Sequence, residues 1–269
     1  MSKKLYILFF SVFFLISMTS YKAQAQNRNS NTDTSIQMRK EQNINLNRNI
    51  IKINVTAIVL KNFSFQYERI LSKTFSIVLG YRVMPVSTLP FQKIILDQVG
   101  DDPETRKTIE NFRLSNTAIT PEVRFYVGKK GYGKGFYIAP FYRHAEFKSS
   151  ELDIFYTTPA NVQGSIKLSG KLTSNTGGIL LGVQRFIGKN IVLDTWIFGP
   201  HYGSGTGDFS GTSSRPLTQD EQNGLRDQLN SIDIPLTDKT VSVNANGASL
   251  KLDGPWGGLR SGISLGIKF

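Results

Sequence analysis

The sequence predicts an all-β protein, an eight-stranded antiparallel transmembrane β-barrel with long extracellular loops that carry short helices. Three observations lead there. From Ile50 onward apolar and polar residues alternate with period two. The alternating runs pair into hairpins closed by short, lysine-bearing turns. Long connections alternate with the short ones, which is the pattern of an outer-membrane barrel with both termini in the periplasm.

The elements follow in chain order. Lys3 and Lys4 precede an apolar run from Leu5 to Met18, and Ala23-Gln24-Ala25 has the small-x-small form of a signal-peptidase site. The run, about 14 residues, is short of the ~20 that a spanning helix needs, so residues 1–25 read as an export signal cleaved after Ala25. Residues 26–49 are Asn-rich and almost free of large apolar side chains. They read as a flexible periplasmic leader, because they bury too little surface to offset the entropy of ordering. The barrel takes residues 50–269. Its first strand is Ile50–Leu60. Three ungapped segments then repeat a strand ending in Ser/Gly-Lys: Phe65–Lys73, Pro121–Lys129 and Leu181–Lys189. Each leads into a second aromatic or β-branched run, Phe75–Met84, Phe136–Phe147 and Ile191–Tyr202, and Leu259–Phe269 completes the eight. The expected long loops are 85–114, 148–171 and 203–258. The expected short connections are 61–62, 71–74, 128–135 and 188–190. Pro121 and Pro140 fall inside strands, where a missing N–H predicts a bulge or local distortion.

The faces fit a lipid exterior. In the last strand Ile263, Leu265, Ile267 and Phe269 share one face, and Gly262, Ser264, Gly266 and Lys268 the other. The same phase puts Ile51, Ile53, Val55, Ala57 and Val59 outside in the first strand, with Ile77, Leu79 and Tyr81 outside in the third and Ile119, Val123 and Phe125 in the fourth. Strands of roughly 9 to 11 residues, tilted, cover the bilayer core, and closure leaves no unpaired backbone in lipid. Arg69 and Arg185 fall on the lipid face near the turns, from which they can snorkel.

On these residues, positions 50–269 resemble the small eight-stranded outer-membrane barrels of the OmpA/OmpX type and, within them, a Gram-negative outer-membrane group classed as a domain of unknown function. The terminal Ile263-x-Leu265-x-Ile267-x-Phe269 resembles the signal read by the barrel-assembly machinery. The resemblance implies that machinery as a partner in biogenesis, and outer-membrane lipid and lipopolysaccharide as the surroundings.

An eight-stranded barrel has an interior just wide enough for side chains to fill, so no open diffusion pore is expected. The inward phase collects Lys52, Glu68, Arg82, Glu122, Arg124, Arg143, Asp194, Arg260 and Lys268. They read as a structural network of paired charges, since an isolated buried charge is costly.

Composition and motifs narrow the chemistry. The absence of cysteine excludes disulfides, thiolate metal sites, a Cys nucleophile and a lipidated Cys anchor. With only His144 and His201, a His-based metal site would need carboxylates, and no metal or cofactor is expected. Gly262–Gly266 matches G-x-S-x-G but lies in mid-strand, away from the strand-to-helix turn that exposes a nucleophile. Gly128–Gly135 approaches a P-loop, yet it lacks the final Ser/Thr and opens a strand. A lipid-modifying barrel enzyme would need His144 with Glu146 or Ser149, or His201 with Ser204. Nothing in their spacing requires it, and the chain reads as not an enzyme.

The 32 Lys+Arg against 20 Asp+Glu give +12, which alone points to nucleic acid or an anionic surface. Loss of Lys3, Lys4 and Lys22 with the signal leaves +9, and export removes nucleic acid as a partner. Lys73, Lys129, Lys130, Lys134 and Lys189 lie in the periplasmic turns, whereas 203–258 has an excess of acids. Two short helices are expected in the long loops. Asp102-Pro103-Glu104 starts one, and Thr218-x-x-Glu221 is a capping box for another that brings Leu225 and Leu229 to one face. The expected role is structural or one of surface interaction, through the outer loops and an unnamed extracellular ligand. A barrel enzyme acting on lipid and a soluble secreted ligand-binding barrel are the alternatives.

Overall fold

A computed structural model describes residues 48–100 and 102–269. The expected export signal and the leader as far as residue 47 lie outside the described residues. The chain runs β1 (Asn49–Asn54), α1 (Val55–Val59), β2 (Phe63–Ile70), β3 (Phe75–Ser87), α2 (Gln92–Val99), α3 (Pro103–Asn111), β4 (Arg113–Gly131), β5 (Lys134–Thr157), β6 (Gln163–Ile187), β7 (Ile191–Thr212), α4 (Gln219–Asn230), β8 (Asp238–Asn244) and β9 (Gly247–Lys268). Every pairing is antiparallel. β1 to β7 pair in order, β7 pairs β9, and β9 returns to β1, so eight strands close a ring within one sheet. The ninth, β8, lies along β9 over Gly247–Asp253, beyond the stretch that β1 occupies. Backbone bonds of 3.1 and 2.9 Å between Asn49 and Phe269 lock the two ends of the ring together.

The alternation read from the sequence sets the two faces. In β2, Phe63, Phe65 and Tyr67 are exposed while Ser64, Gln66, Glu68 and Ile70 are buried. Polar residues thus point into the ring and large apolar ones away from it, the reverse of a water-soluble sheet packed on a core.

The first expected strand divides. Asn54 Oδ1 accepts from the Ala57 N–H at 2.9 Å and from the Thr56 hydroxyl at 2.7 Å, and this cap turns Val55–Val59 into a helix. Val55, Ala57 and Val59 therefore belong to no outward strand face. Gly262, at φ +150°, sits where α1 turns against β9, and a Cβ there would stand 2.6 Å from Thr56 Oγ1.

The expected long loops 148–171 and 203–258 are largely strand. β5 continues to Thr157 and β6 begins at Gln163, while β7 runs to Thr212 and β9 starts at Gly247. Strand length consequently rises from 6 residues in β1 to 25 in β6. At about 3.3 Å per residue, β6 extends roughly 80 Å along its course, so one side of the ring stands far above the other. This extension has its own core. Ile154, Tyr156, Ile166 and Leu168 from β5 and β6 pack under Leu225 and Leu229 of α4, with Val243 and Ala248 closing the end. The helix lies close against the sheet because residue 224 is glycine, where a Cβ would stand 2.6 Å from the Thr157 carbonyl oxygen. Its expected capping box forms, with Glu221 Oε2 accepting from the Thr218 N–H at 2.9 Å. Arg215 donates to both Glu221 oxygens, at 2.9 and 2.5 Å, and these bonds hold the carboxyl down at about 2.

Helix α3 begins at Pro103 as expected, but the Asp102 side chain accepts from the Thr105 hydroxyl and caps no backbone N–H. Pro121 and Pro140 cause no bulge, but they bring the local distortion expected, an interrupted ladder. Both face the β4–β5 seam, where the ladder skips Thr120–Pro121 and Val123–Arg124 while Ile119↔His144, Glu122↔Phe141 and Phe125↔Ile138 keep one register. The register shifts lie elsewhere, including Trp196/Gly199 between β7 and β9.

Candidate functional site

The interior of the ring carries two levels of charge. The level nearer the short turns is saturated. Asp194 on β7 accepts from Lys52 Nζ at 2.8 Å, Arg124 Nη1 at 2.6 Å and the Tyr137 hydroxyl at 2.8 Å. Glu68 on β2 accepts from Lys52 Nζ at 2.7 Å and from the Ser76 and Tyr126 hydroxyls, each at 2.6 Å. Glu122 on β4 accepts from Arg124 Nε at 2.6 Å and Arg260 Nη2 at 3.2 Å. Gln184 on β6 receives the third Lys52 proton at 2.9 Å, so the ammonium's three donors are all used. The side chains of Lys52, Glu68, Arg124 and Asp194 have no solvent exposure, and together they seal the ring at this level.

Such a cluster repays the desolvation of its charges only through good geometry and dense hydrogen bonding, and here every carboxylate and all three Lys52 donors are engaged, with Gln66 Nε2 the buried donor left over. Chemically it is inert. Each carboxylate is engaged by donors at both oxygens and none faces solvent, so no substrate or metal ion reaches them from water. Among the described residues, no three His, Cys, Asp or Glu side chains come together to hold a metal ion.

The second level lies on the side of the tall extension. Arg82 donates through Nε and Nη2 to Asn116 Oδ1, at 3.0 and 2.6 Å. Arg143 donates to Thr120 Oγ1 at 3.3 Å. The Arg260 guanidinium lies 4.3 Å from the Phe141 ring centre and 4.9 Å from that of Trp196. His201 meets Phe141 edge to face at 6.0 Å. The expectation that every interior charge is paired fails at this level. Arg82 and Arg143 have no carboxylate partner among the described residues, and Arg260 reaches only Glu122.

The other sequence candidates are dispersed. Lys268 lies at the turn end over the Phe186 ring, 4.9 Å away. His144 is exposed on the outer face and bonds Asn175 Oδ1 at 2.8 Å, while Glu146 pairs with Lys148 at 3.0 Å. His201 points inward and Ser204 outward, so they form no dyad. Ser264 is fully buried in mid-strand, and Gly128–Gly135 is the β4–β5 hairpin. Ile263, Leu265, Ile267 and Phe269 are all exposed on the outer face. An open groove of about 540 Å³ on the extension has Lys148, Lys171, Asp208 and Lys251 in its lining, and all four are exposed.

Several partners in the network were not singled out in the sequence: Gln66, Ser76, Tyr126, Tyr137, Gln184 and Trp196. The signal for most of them was the strand phase, since Gln66 and Tyr126 stand two residues from Glu68 and Arg124, and Trp196 two from Asp194.

Comparison with known proteins finds no match for this chain, whether among family models, curated proteins or solved structures. No described helix is long and apolar enough to cross a membrane.

Proposed function

We propose that the chain is an integral outer-membrane protein, an eight-stranded transmembrane β-barrel without an open pore, and that it acts as a structural or surface-interaction protein through its extracellular extension. One observation carries this reading. Large apolar side chains cover the outer face of the ring on every strand, represented by Ile51, Tyr67, Leu79, Phe125, Ile138, Ile179, Phe198 and Leu265, each at least 39% exposed. A water-soluble chain does not leave so extensive an apolar surface uncovered, whereas lipid requires it. The sealed charge layer argues against diffusion through the interior, and the saturation of its carboxylates argues against acid–base chemistry there. No nucleic acid, metal or cofactor enters this reading.

The reading is tested by fractionation and heat modifiability. The protein is expected to separate with the outer membrane and to migrate faster on detergent gels unheated than boiled. Recovery in the soluble fraction, with one gel position under both conditions, would refute it in favour of a soluble ring.

A further inference from the structure

The unpaired upper level of the ring's interior is the feature that the sealed network leaves unexplained. The interior places five cations, Lys52, Arg82, Arg124, Arg143 and Arg260, against three anions, Glu68, Glu122 and Asp194. The three anions are consumed at the lower level. The two surplus cations, Arg82 and Arg143, stand together above it, close enough to each other and to Arg260 for their charges to interact. Arg143 and Arg260 are each only 8% exposed, so water screens little of their repulsion. Two buried nitrogens at this level have no partner: Arg260 Nη1 and His201 Nδ1. Simple filling does not call for such a set. Phe141, Leu180 and Trp196 already supply apolar bulk alongside, and a buried charge without a counter-charge is among the costliest things a fold can hold.

We propose that Arg82, Arg143, Arg260 and His201 form a binding site for a doubly charged oxyanion of the phosphate type, entering from the side of the extension. Two uncompensated guanidiniums match a charge of two. Guanidinium forks suit tetrahedral oxyanions, and Arg260 Nη1 with the protonated Nδ1 tautomer of neutral His201 adds donors. Asn116 and Thr120 hold Arg82 and Arg143 by neutral oxygens only, which leaves their charge for the ligand. The bound group is either free phosphate or the phosphoryl group of a lipid headgroup. The site does not depend on the membrane reading, because its residues are interior to the ring in either case.

The test uses the folded chain purified in nonionic detergent. Trp196 lies against Arg260 and is one of only two tryptophans, so Trp256→Phe makes it a sole reporter of the site. Inorganic phosphate is expected to shift the Trp196 emission saturably and to raise the unfolding temperature, beyond what chloride does at equal ionic strength. In Arg82→Gln/Arg143→Gln the affinity should fall roughly tenfold or more, the worth of at least one charge-assisted hydrogen bond. The same variant, relieved of repulsion, should be at least as heat-stable as the parent without phosphate, so that loss of binding is separable from loss of fold. A parallel arm replaces phosphate with micelles containing phosphatidic acid. A response to phosphate identifies a small-anion site, and a response to the lipid alone identifies a headgroup site. No response to either, an equal response to chloride, or unchanged binding by the double variant would overturn the proposal.

Discussion

The substitution Asp194→Asn probes the sealed layer most directly. It keeps the size and shape of a side chain with no exposure while removing its charge, at the point where Lys52, Arg124 and Tyr137 converge within 2.8 Å. The three cations that these carboxylates neutralise, Lys52 and Arg124 in the layer and Arg260 reaching Glu122 from above, would then face two anions. Removing one partner of a buried ion pair costs about 3–5 kcal/mol, because the other charge stays buried. Here Lys52 keeps Glu68 at 2.7 Å and Arg124 keeps Glu122 at 2.6 Å, which places the expected loss near the lower end, about 3 kcal/mol. The assay is equilibrium denaturation of the folded protein in detergent, followed by fluorescence and by the unheated gel position. The double variant Asp194→Asn/Lys52→Met removes one charge of each sign and is expected to recover a substantial part of the loss, giving a coupling of about 1–3 kcal/mol. A single variant costing less than about 1 kcal/mol, or a double variant that costs the plain sum of the two singles, would refute the view that this layer is held by mutual neutralisation.

Three further outcomes are expected. Leu225→Ala, at a fully buried position under α4, should cost the extension about 2–5 kcal/mol and expose 213–246 to limited proteolysis while the ring keeps its unheated gel position. Acidification should loosen α4 in the same way. The Glu221 carboxyl, held at about 2 by Arg215 against an ordinary 4.5, contributes stability that is full above 4.5 and is lost as pH falls toward 2, so proteolytic protection should decline across that window in the parent and lose this dependence in Glu221→Gln. If the proposed outer-membrane reading holds, deleting Phe269, which is exposed at the end of the outward row Ile263, Leu265 and Ile267, should lower the amount of protein recovered with the outer membrane several-fold; unaltered levels would remove the assembly role proposed for that row.

The parts of the fold legible in the sequence are those where the two faces of a strand meet different surroundings. Around the lower ring one face meets packed charge and the other is an apolar exterior, so Phe65, Tyr67 and Leu79 announce the strands and the phase finds Lys52, Glu68, Arg124 and Asp194. In the extension the contrast persists at Ile166 and Leu168, buried beneath α4, but its outer face is polar and its inner face turns to glycine beyond them. Lys167, Ser169 and Lys171 are exposed on one face and Gly170 is half-buried on the other, a composition that reads as loop although it pairs as strand. At Val55–Val59 the β-branched, alternating residues read as strand, but the Asn54 side chain caps a helix at the point where the β1–β9 ladder ends at Asn54↔Ser264. The shift at Trp196/Gly199 hid the inward orientation of His201. Phase carried from Asp194 puts it outside, but the irregularity turns the even positions outward and brings His201 in beside Phe141.

That same irregularity marks the level where the molecule changes character. Below it the interior is closed by neutralised charge and the outer face is apolar. Above it, β5, β6, β7 and β9 leave the ring's narrow interior and gain a separate core from α4 and β8, sharing no residue with the clusters around Tyr137 and Ile50. A surface built this way differs physically from a set of long loops. Loops pay ordering entropy when a partner arrives, whereas a paired sheet with a packed helix has paid it on folding. An interaction through the extension would therefore use a preformed face, sensitive to the Leu225 core beneath it, and substitutions that loosen that core should weaken binding without touching a contact residue.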